Sequence, residues 1–243
     1  MSSMSSQPPP YSNGNPNSNV SIEDLLSGYD VILGLDQSGS MAGPVSKKRF
    51  GTTRWQDLRE AVTSMASAID TIDKDGSTVI FFNSEVSMFD HQTSQDIQEL
   101  FKERKPSGLT NLTSALTEAF KYFKRKYSKD KKYKSLMIFI TDGVPFTGNN
   151  NVNEMDIVAS LIADFTLYLE REGITDDQVG ITFIQVGDDA GATQFLKFLD
   201  DTLTVPSGMG GKGAPFDIVD TINFEDVERT GGIVQAFLNA FND

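Results

Sequence analysis

The chain contains no cysteine. Disulfides, zinc–thiolate sites and cysteine nucleophiles are therefore excluded. It has one histidine, His91, so a metal site built from several imidazoles is excluded as well. Any metal must be held mainly by oxygen. Positive charge is scarce: 21 Lys and Arg stand against 34 Asp and Glu, a formal net charge of −13. Such a chain repels phosphate backbones, which argues against nucleic acid as a partner. The same acidity suits a divalent cation, because carboxylates are hard oxygen ligands. Long apolar runs are missing too. No stretch approaches the ~18 consecutive apolar residues of a membrane-spanning helix. The opening residues, Met-Ser-Ser-Met-Ser-Ser-Gln, lack the basic and apolar regions of a secretory signal, and the expectation is a cytoplasmic protein.

What is present suits one α/β domain over 21–243, with 38% hydrophobic residues in a chain of 243. Residues 1–20 are rich in Ser, Pro and Asn and cannot offset ordering entropy by burial, so they are expected to form a disordered tail. Within them Pro8-Pro9-Pro10-Tyr11 fits the Pro-Pro-x-Tyr pattern of WW-domain ligands, although four residues match often by chance. From residue 21 strands alternate with helices. Apolar runs predict strands at Tyr29–Leu35, Ser77–Phe82, Ser135–Ile140, Gly180–Val186 and Phe216–Thr221, and a short antiparallel edge partner at Ser87–Asp90. Helices are expected at Arg54–Asp73, Ser94–Glu103, Leu112–Tyr127, Asn153–Glu172, Ala192–Leu203 and Gly231–Phe241. The first shows an apolar face of Leu58, Ala61, Val62, Met65, Ile69 and Ile72. This pattern implies a doubly wound, mostly parallel six-stranded sheet with one antiparallel edge strand and helices on both faces.

In such a sheet, ligands bind beyond the carboxyl ends of the strands, where the strand order reverses. The first strand is followed by Asp36-Gln37-Ser38-Gly39-Ser40, and the strand Ser135–Ile140 by Thr141-Asp142-Gly143. Between them Gly108-Leu109-Thr110 leads into a helix. Asp36 and Asp142 offer carboxylates; Ser38, Ser40 and Thr110 offer neutral hydroxyls. Five oxygens plus water complete the coordination of a hard divalent ion. With so few anionic ligands, the ion favours a carboxylate from outside.

These motifs resemble the metal-ion-dependent adhesion site of von Willebrand factor A and integrin-type I domains. The resemblance implies that Ser38 and Ser40 bind the metal directly, that Thr110 does so when the site is liganded, and that Asp36 and Asp142 act largely through water. It implies Mg²⁺, with Mn²⁺ or Ca²⁺ as substitutes, and a protein partner offering Asp or Glu. Intracellular domains of this kind also serve as accessory subunits beside separate AAA+ ATPases of the chelatase or MoxR type. Gly108-Leu109-Thr110 departs from the commoner Gly-Gly-Thr of the family.

An enzyme is not expected. A haloacid-dehalogenase-type phosphatase needs a second acid two residues beyond the first Asp, and that position is Ser38. Gly208–Gly213 lacks the Gly-Lys-Ser/Thr ending of a phosphate loop and reads as a surface loop. Lys47, Lys48 and Asp188 lie on loops at the metal-bearing edge, as candidate partner contacts or as ordinary loop residues. The basic run 121–134 reads as a solvated helix end, Trp55 as packing, and His91 as a surface residue.

Overall fold

The computed structural model describes residues 28–46, 49–203 and 217–224. Strands β1 (Tyr29–Asp36), β4 (Ser77–Phe82), β5 (Val86–Gln92), β6 (Lys134–Thr141), β7 (Val179–Gln185) and β8 (Val219–Asn223) form one six-stranded sheet. Their order is β5-β4-β1-β6-β7-β8. All neighbours are parallel except β4 and β5, which are antiparallel. From β1 the chain builds outward to β4 and β5, then returns to lay β6 on the other side of β1. The strand order therefore reverses between β1 and β6, and a crevice opens beyond their carboxyl ends.

Five helices complete the described architecture: α1 (Arg54–Ile72), α2 (Ser94–Lys102), α3 (Leu112–Lys129), α4 (Glu154–Glu172) and α5 (Ala190–Thr202). Alternation along β1 and β6 divides the core. Ile32, Met137 and Phe139 face α3, α4 and α5, while Val31, Leu33, Leu35, Leu136, Ile138 and Ile140 face α1 and α2. All six residues of the expected apolar face of α1 are buried. The first core is aromatic, with Phe120 stacked on Phe165 at 3.9 Å between centroids. The Phe139 ring lies over Gly34, 2.1 Å from where a Cβ would stand. Any side chain there would displace that ring from the core.

Differences from the sequence expectation are local. The sequence predicts no strand between Asp36 and Arg54; there Pro44–Ser46 (β2) and Arg49–Thr53 (β3) pair antiparallel as a small two-stranded sheet. Proline, glycine and strands of three and five residues hide the alternation that would have marked them. β8 begins three residues later than expected, and β5 runs further in both directions than Ser87–Asp90. His91 belongs to β5 with φ +54, and its Nδ1 lies 3.1 Å from the Asp75 carbonyl. The tail 1–20, the Gly208–Gly213 loop and the helix Gly231–Phe241 lie outside the described residues. Among the described residues no helix is long and apolar enough to cross a membrane.

Candidate metal centre

Asp36 ends β1 with no exposed surface, and Asp142 follows β6 with 1% exposed. Two buried carboxylates at adjacent strand ends need compensation. Asp36 Oδ1 accepts the Ser38 backbone N–H at 2.8 Å, and Oδ2 accepts the Thr141 hydroxyl at 2.7 Å. The first bond bends the chain back after the strand, so that the Ser38 and Ser40 hydroxyls point at each other, 2.9 Å apart. Ser40 Oγ donates to Asp142 Oδ1 at 2.8 Å. A hydroxyl has one hydrogen to give, so Ser38 donates to Ser40. Three expected ligands are thus joined in one chain of oxygens.

Thr110 arrives on a separate loop that is stitched down on both sides. Ser107 N–H donates to the Gln37 carbonyl at 2.8 Å, and Gly39 N–H to the Gly108 carbonyl at 3.0 Å. On the other side Thr110 and Phe146 exchange both backbone hydrogen bonds, at 3.1 and 2.9 Å. Gly108 has φ +78, and a Cβ there would meet Ser84 Oγ at 2.7 Å. Glycine is required at that position. Leu109, in place of the commoner glycine, is accommodated: its N–H donates to Ser84 Oγ at 3.1 Å while its side chain turns toward Gly148 and solvent. Among the described residues the Thr110 hydroxyl has no hydrogen-bond partner, and the residue is 8% exposed. It is an oxygen held ready at the mouth of the crevice.

Sequence reasoning missed Arg54. Its Nη1 lies 2.7 Å from Asp142 Oδ2 and 3.4 Å from the Ser40 carbonyl. The residue is fixed in the first turn of α1 by a capping box, in which Thr53 Oγ1 accepts from Gln56 N–H and Gln56 Oε1 from Thr53 N–H. A cation in the first turn opposes the helix dipole. That mismatch was a readable signal that Arg54 answers to a carboxylate elsewhere. Burial, reinforced by Asp142 nearby, raises Asp36 to about 6.

The donors suit a hard divalent ion. Every group is oxygen, the ordered hydroxyl chain ends on a carboxylate, and Thr110 lacks a partner. Ser38, Ser40 and Thr110 would touch such an ion, with Asp36 and Asp142 behind them; the ion would supply an electrophilic centre for an incoming oxygen. Of the other expected contacts, Asp188 is exposed beyond β7, and its neighbour Asp189 caps α5 by accepting Ala192 N–H at 2.7 Å. Lys47 and Lys48 lie outside the described residues. Trp55 packs on Phe101, 5.0 Å between centroids. Four of the eight basic residues in the run are ion-paired: Lys121 with Glu118, Lys126 with Asp30, Lys131 with Glu172 and Lys134 with Asp177. It lies at the opposite end of the sheet.

A sequence model described as the von Willebrand factor type A domain matches residues 31–144. The chain carries a von Willebrand factor type A domain. The matched stretch includes all five expected ligands. Solved structures agree on the fold. A variant of the PilB minor pilin from Streptococcus sanguinis superposes with a TM-score of 0.56 at 13% identity, over 87% of this chain and 62% of that one. The vWF domain of the type V pili tip protein Mfa5 from Porphyromonas gingivalis gives 0.50 at 11% identity, over 89% and 95%. The A domain described here therefore spans under two thirds of the pilin's length. No curated protein matches the chain by sequence.

Proposed function

We propose that this A domain is a non-enzymatic binding module that captures a carboxylate of a partner protein through a divalent ion, Mg²⁺ foremost. The observation that carries the reading is the hydroxyl chain Ser38–Ser40–Asp142, closed at 2.9 and 2.8 Å at the strand-order switch. Charge supports it. Asp36 and Asp142 balance a divalent ion, and Arg54 adds one positive charge. The loaded site carries a net +1 and favours an anionic ligand.

The rim suits a protein rather than a small solute. Leu109, Val144, Phe146, Val152 and Met155 are all more than a third exposed. Beside them Val144, Met155, Phe195 and Phe198 line a groove of about 340 Å³. Apolar side chains gathered at a polar centre match the anatomy of a protein interface. A subunit of a separate AAA+ ATPase machine is one partner of this kind, and a co-purifying ATPase would identify it.

The test is capture of partners from the source lysate in Mg²⁺, repeated in EDTA and with Thr110→Ala. Loss of the same bound protein in both repeats is expected. Retention in both would make any metal structural and move the interface elsewhere, with the basic run 121–134 the next surface to test.

A further inference from the structure

Exposed apolar surface is concentrated beside the metal centre. Among the described large apolar side chains that are more than a third exposed, Met88 stands apart on β5. The others lie on the loops before α3 and after β6, or on α4 and α5. The groove between α4 and α5 draws on this set. Val144 closes one end, Met155 comes from the first turn of α4, and Phe195 and Phe198 come from α5. Phe195 is buried, while Met155 and Phe198 are 37% and 41% exposed. Residue 191, also in the lining, is glycine. A Cβ there would lie 3.1 Å from Asp189 Oδ1 and 3.8 Å from Val144 Cγ1, so a side chain would narrow the groove.

The groove starts at the metal. Asp142 and Val144 are two residues apart, which limits their separation to about 7 Å. From Gly191 to Phe198 α5 carries the groove about 10 Å along its axis. Its volume of about 340 Å³ is open to solvent and near the small end of ligand sites. It suits the side chains of a bound segment better than an enclosed small molecule.

The rim carries the opposite charge to the loaded metal site. Asp156 lines the groove, and Asp188 and Asp189 stand exposed where α5 begins. Asp156 Oδ2 accepts from Asn153 Nδ2 at 2.8 Å and Asp189 Oδ1 from Ala192 N–H at 2.7 Å, bonds that leave both charges in place. Among the described residues no cation pairs with any of the three, and Lys197 of α5 is held by Asp201 at 3.1 Å. The upper edge therefore presents a positive centre, an apolar trough and a negative rim.

We propose that the groove is the second half of the docking face, and that the partner presents an extended segment in which an Asp or Glu is followed at the second and fourth positions by apolar side chains and then by Lys or Arg. The acid takes the metal, the apolar pair fills the trough from Val144 to Phe198, and the cation meets the rim carboxylates. In an extended chain alternate side chains share a face at about 7 Å intervals, which matches the step from Asp142 to Val144. This rests on the metal–carboxylate reading above and adds the partner's sequence pattern to it.

The test uses the full chain and a fluorescein-labelled peptide, Gly-Glu-Ser-Leu-Ser-Phe-Ser-Lys, titrated by fluorescence anisotropy in MgCl₂. Replacing both the Leu and the Phe of the peptide by Ser should weaken binding at least tenfold. Replacing its Lys by Glu should weaken binding about threefold. Phe198→Ser and Met155→Ser, both at exposed positions, should each weaken the parent peptide several-fold, with magnesium affinity by calorimetry and the circular dichroism spectrum unchanged. Equal binding of the parent and the Ser-substituted peptide, or no binding of the parent at millimolar concentration to a chain that calorimetry shows loaded with magnesium, would overturn the proposal and leave the metal reading standing. Peptide binding unchanged in EDTA would overturn the metal reading, and this proposal with it. A wild-type chain that self-associates in sedimentation, and ceases to with Phe198→Ser, would assign the groove to a second copy and overturn the proposal.

Discussion

The two ends of β1 solve the same problem in different ways. At the upper end Asp36 and Asp142 are almost completely buried, and nearly every polar atom around them is satisfied: Ser38, Ser40 and Thr141 supply hydrogen bonds and Arg54 supplies charge. At the lower end, among the described residues, Asp30, Asp73 and Asp75 have one ion-paired lysine, Lys126 at 3.5 Å from Asp30, and burial raises Asp73 to about 7. The upper site is preorganised and partly neutralised in advance. A metal entering it competes with an internal cation and leaves the site positive. The lower cluster relieves its repulsion by retaining a proton on Asp73 up to about pH 7. The comparison teaches that acidity alone does not define a docking site: what matters is the charge left after the ion has bound.

Asp36→Ala probes this difference most strongly. It removes the acceptor that bends Ser38 and the partner of Thr141, so upper-site metal affinity should fall roughly 10- to 100-fold. Titration calorimetry reads the change.

Acidification comes next. Burial, then Asp142, holds Asp36 at about 6, above the ordinary carboxylate range. Below that pH a cation must displace a proton; above it no proton is present. Magnesium affinity should be flat above pH 6 and fall about tenfold per unit below it. In the metal-free domain the sign is opposite. This raised carboxyl contributes stability at low pH and loses it as pH rises through about 6. A magnesium affinity independent of pH between 5 and 7 would erase the distinction.

Arg54→Gln should have a smaller effect in two directions. Without the competing guanidinium, Mg²⁺ should bind about fivefold more tightly, about 1 kcal/mol. A carboxylate ligand should bind the loaded site more weakly, because the net charge falls from +1 to zero. Equal signs for the two changes would contradict the charge count. The fold itself should survive loss of the ion. Chelator should lower the melting temperature relative to saturating Mg²⁺ by roughly 5–10 °C at a hundredfold excess over Kd, with the far-ultraviolet spectrum retained.

Much of the upper site was legible because its elements repeat physical rules. β1, β4 and β6 are continuous apolar runs, and the residues after such strands lie at the sheet edge where ligands gather. The mostly parallel sheet followed from the alternation of strands and helices, and the antiparallel β5 from the short polar turn before it, while the strand order came only from the structure. Arg54 was legible only as an anomaly, a cation where a helix prefers anions, and the β2–β3 pair was hidden by its proline, glycine and brevity. The lower cluster escaped sequence reading for another reason. Asp30, Asp73, Tyr133 and Ser135 come from β1, the end of α1 and the start of β6, and no local spacing records that the parallel register sets Asp30 against Ser135.

The central claim is that Ser38, Ser40 and Thr110, backed by Asp36 and Asp142, hold one divalent ion. A crystal grown in MnCl₂ and measured at the manganese absorption edge tests it directly. The account predicts an anomalous peak bounded by those hydroxyls, with Arg54 drawn back from Asp142. No peak there, with the Arg54–Asp142 ion pair intact at its 2.7 Å separation, would contradict it.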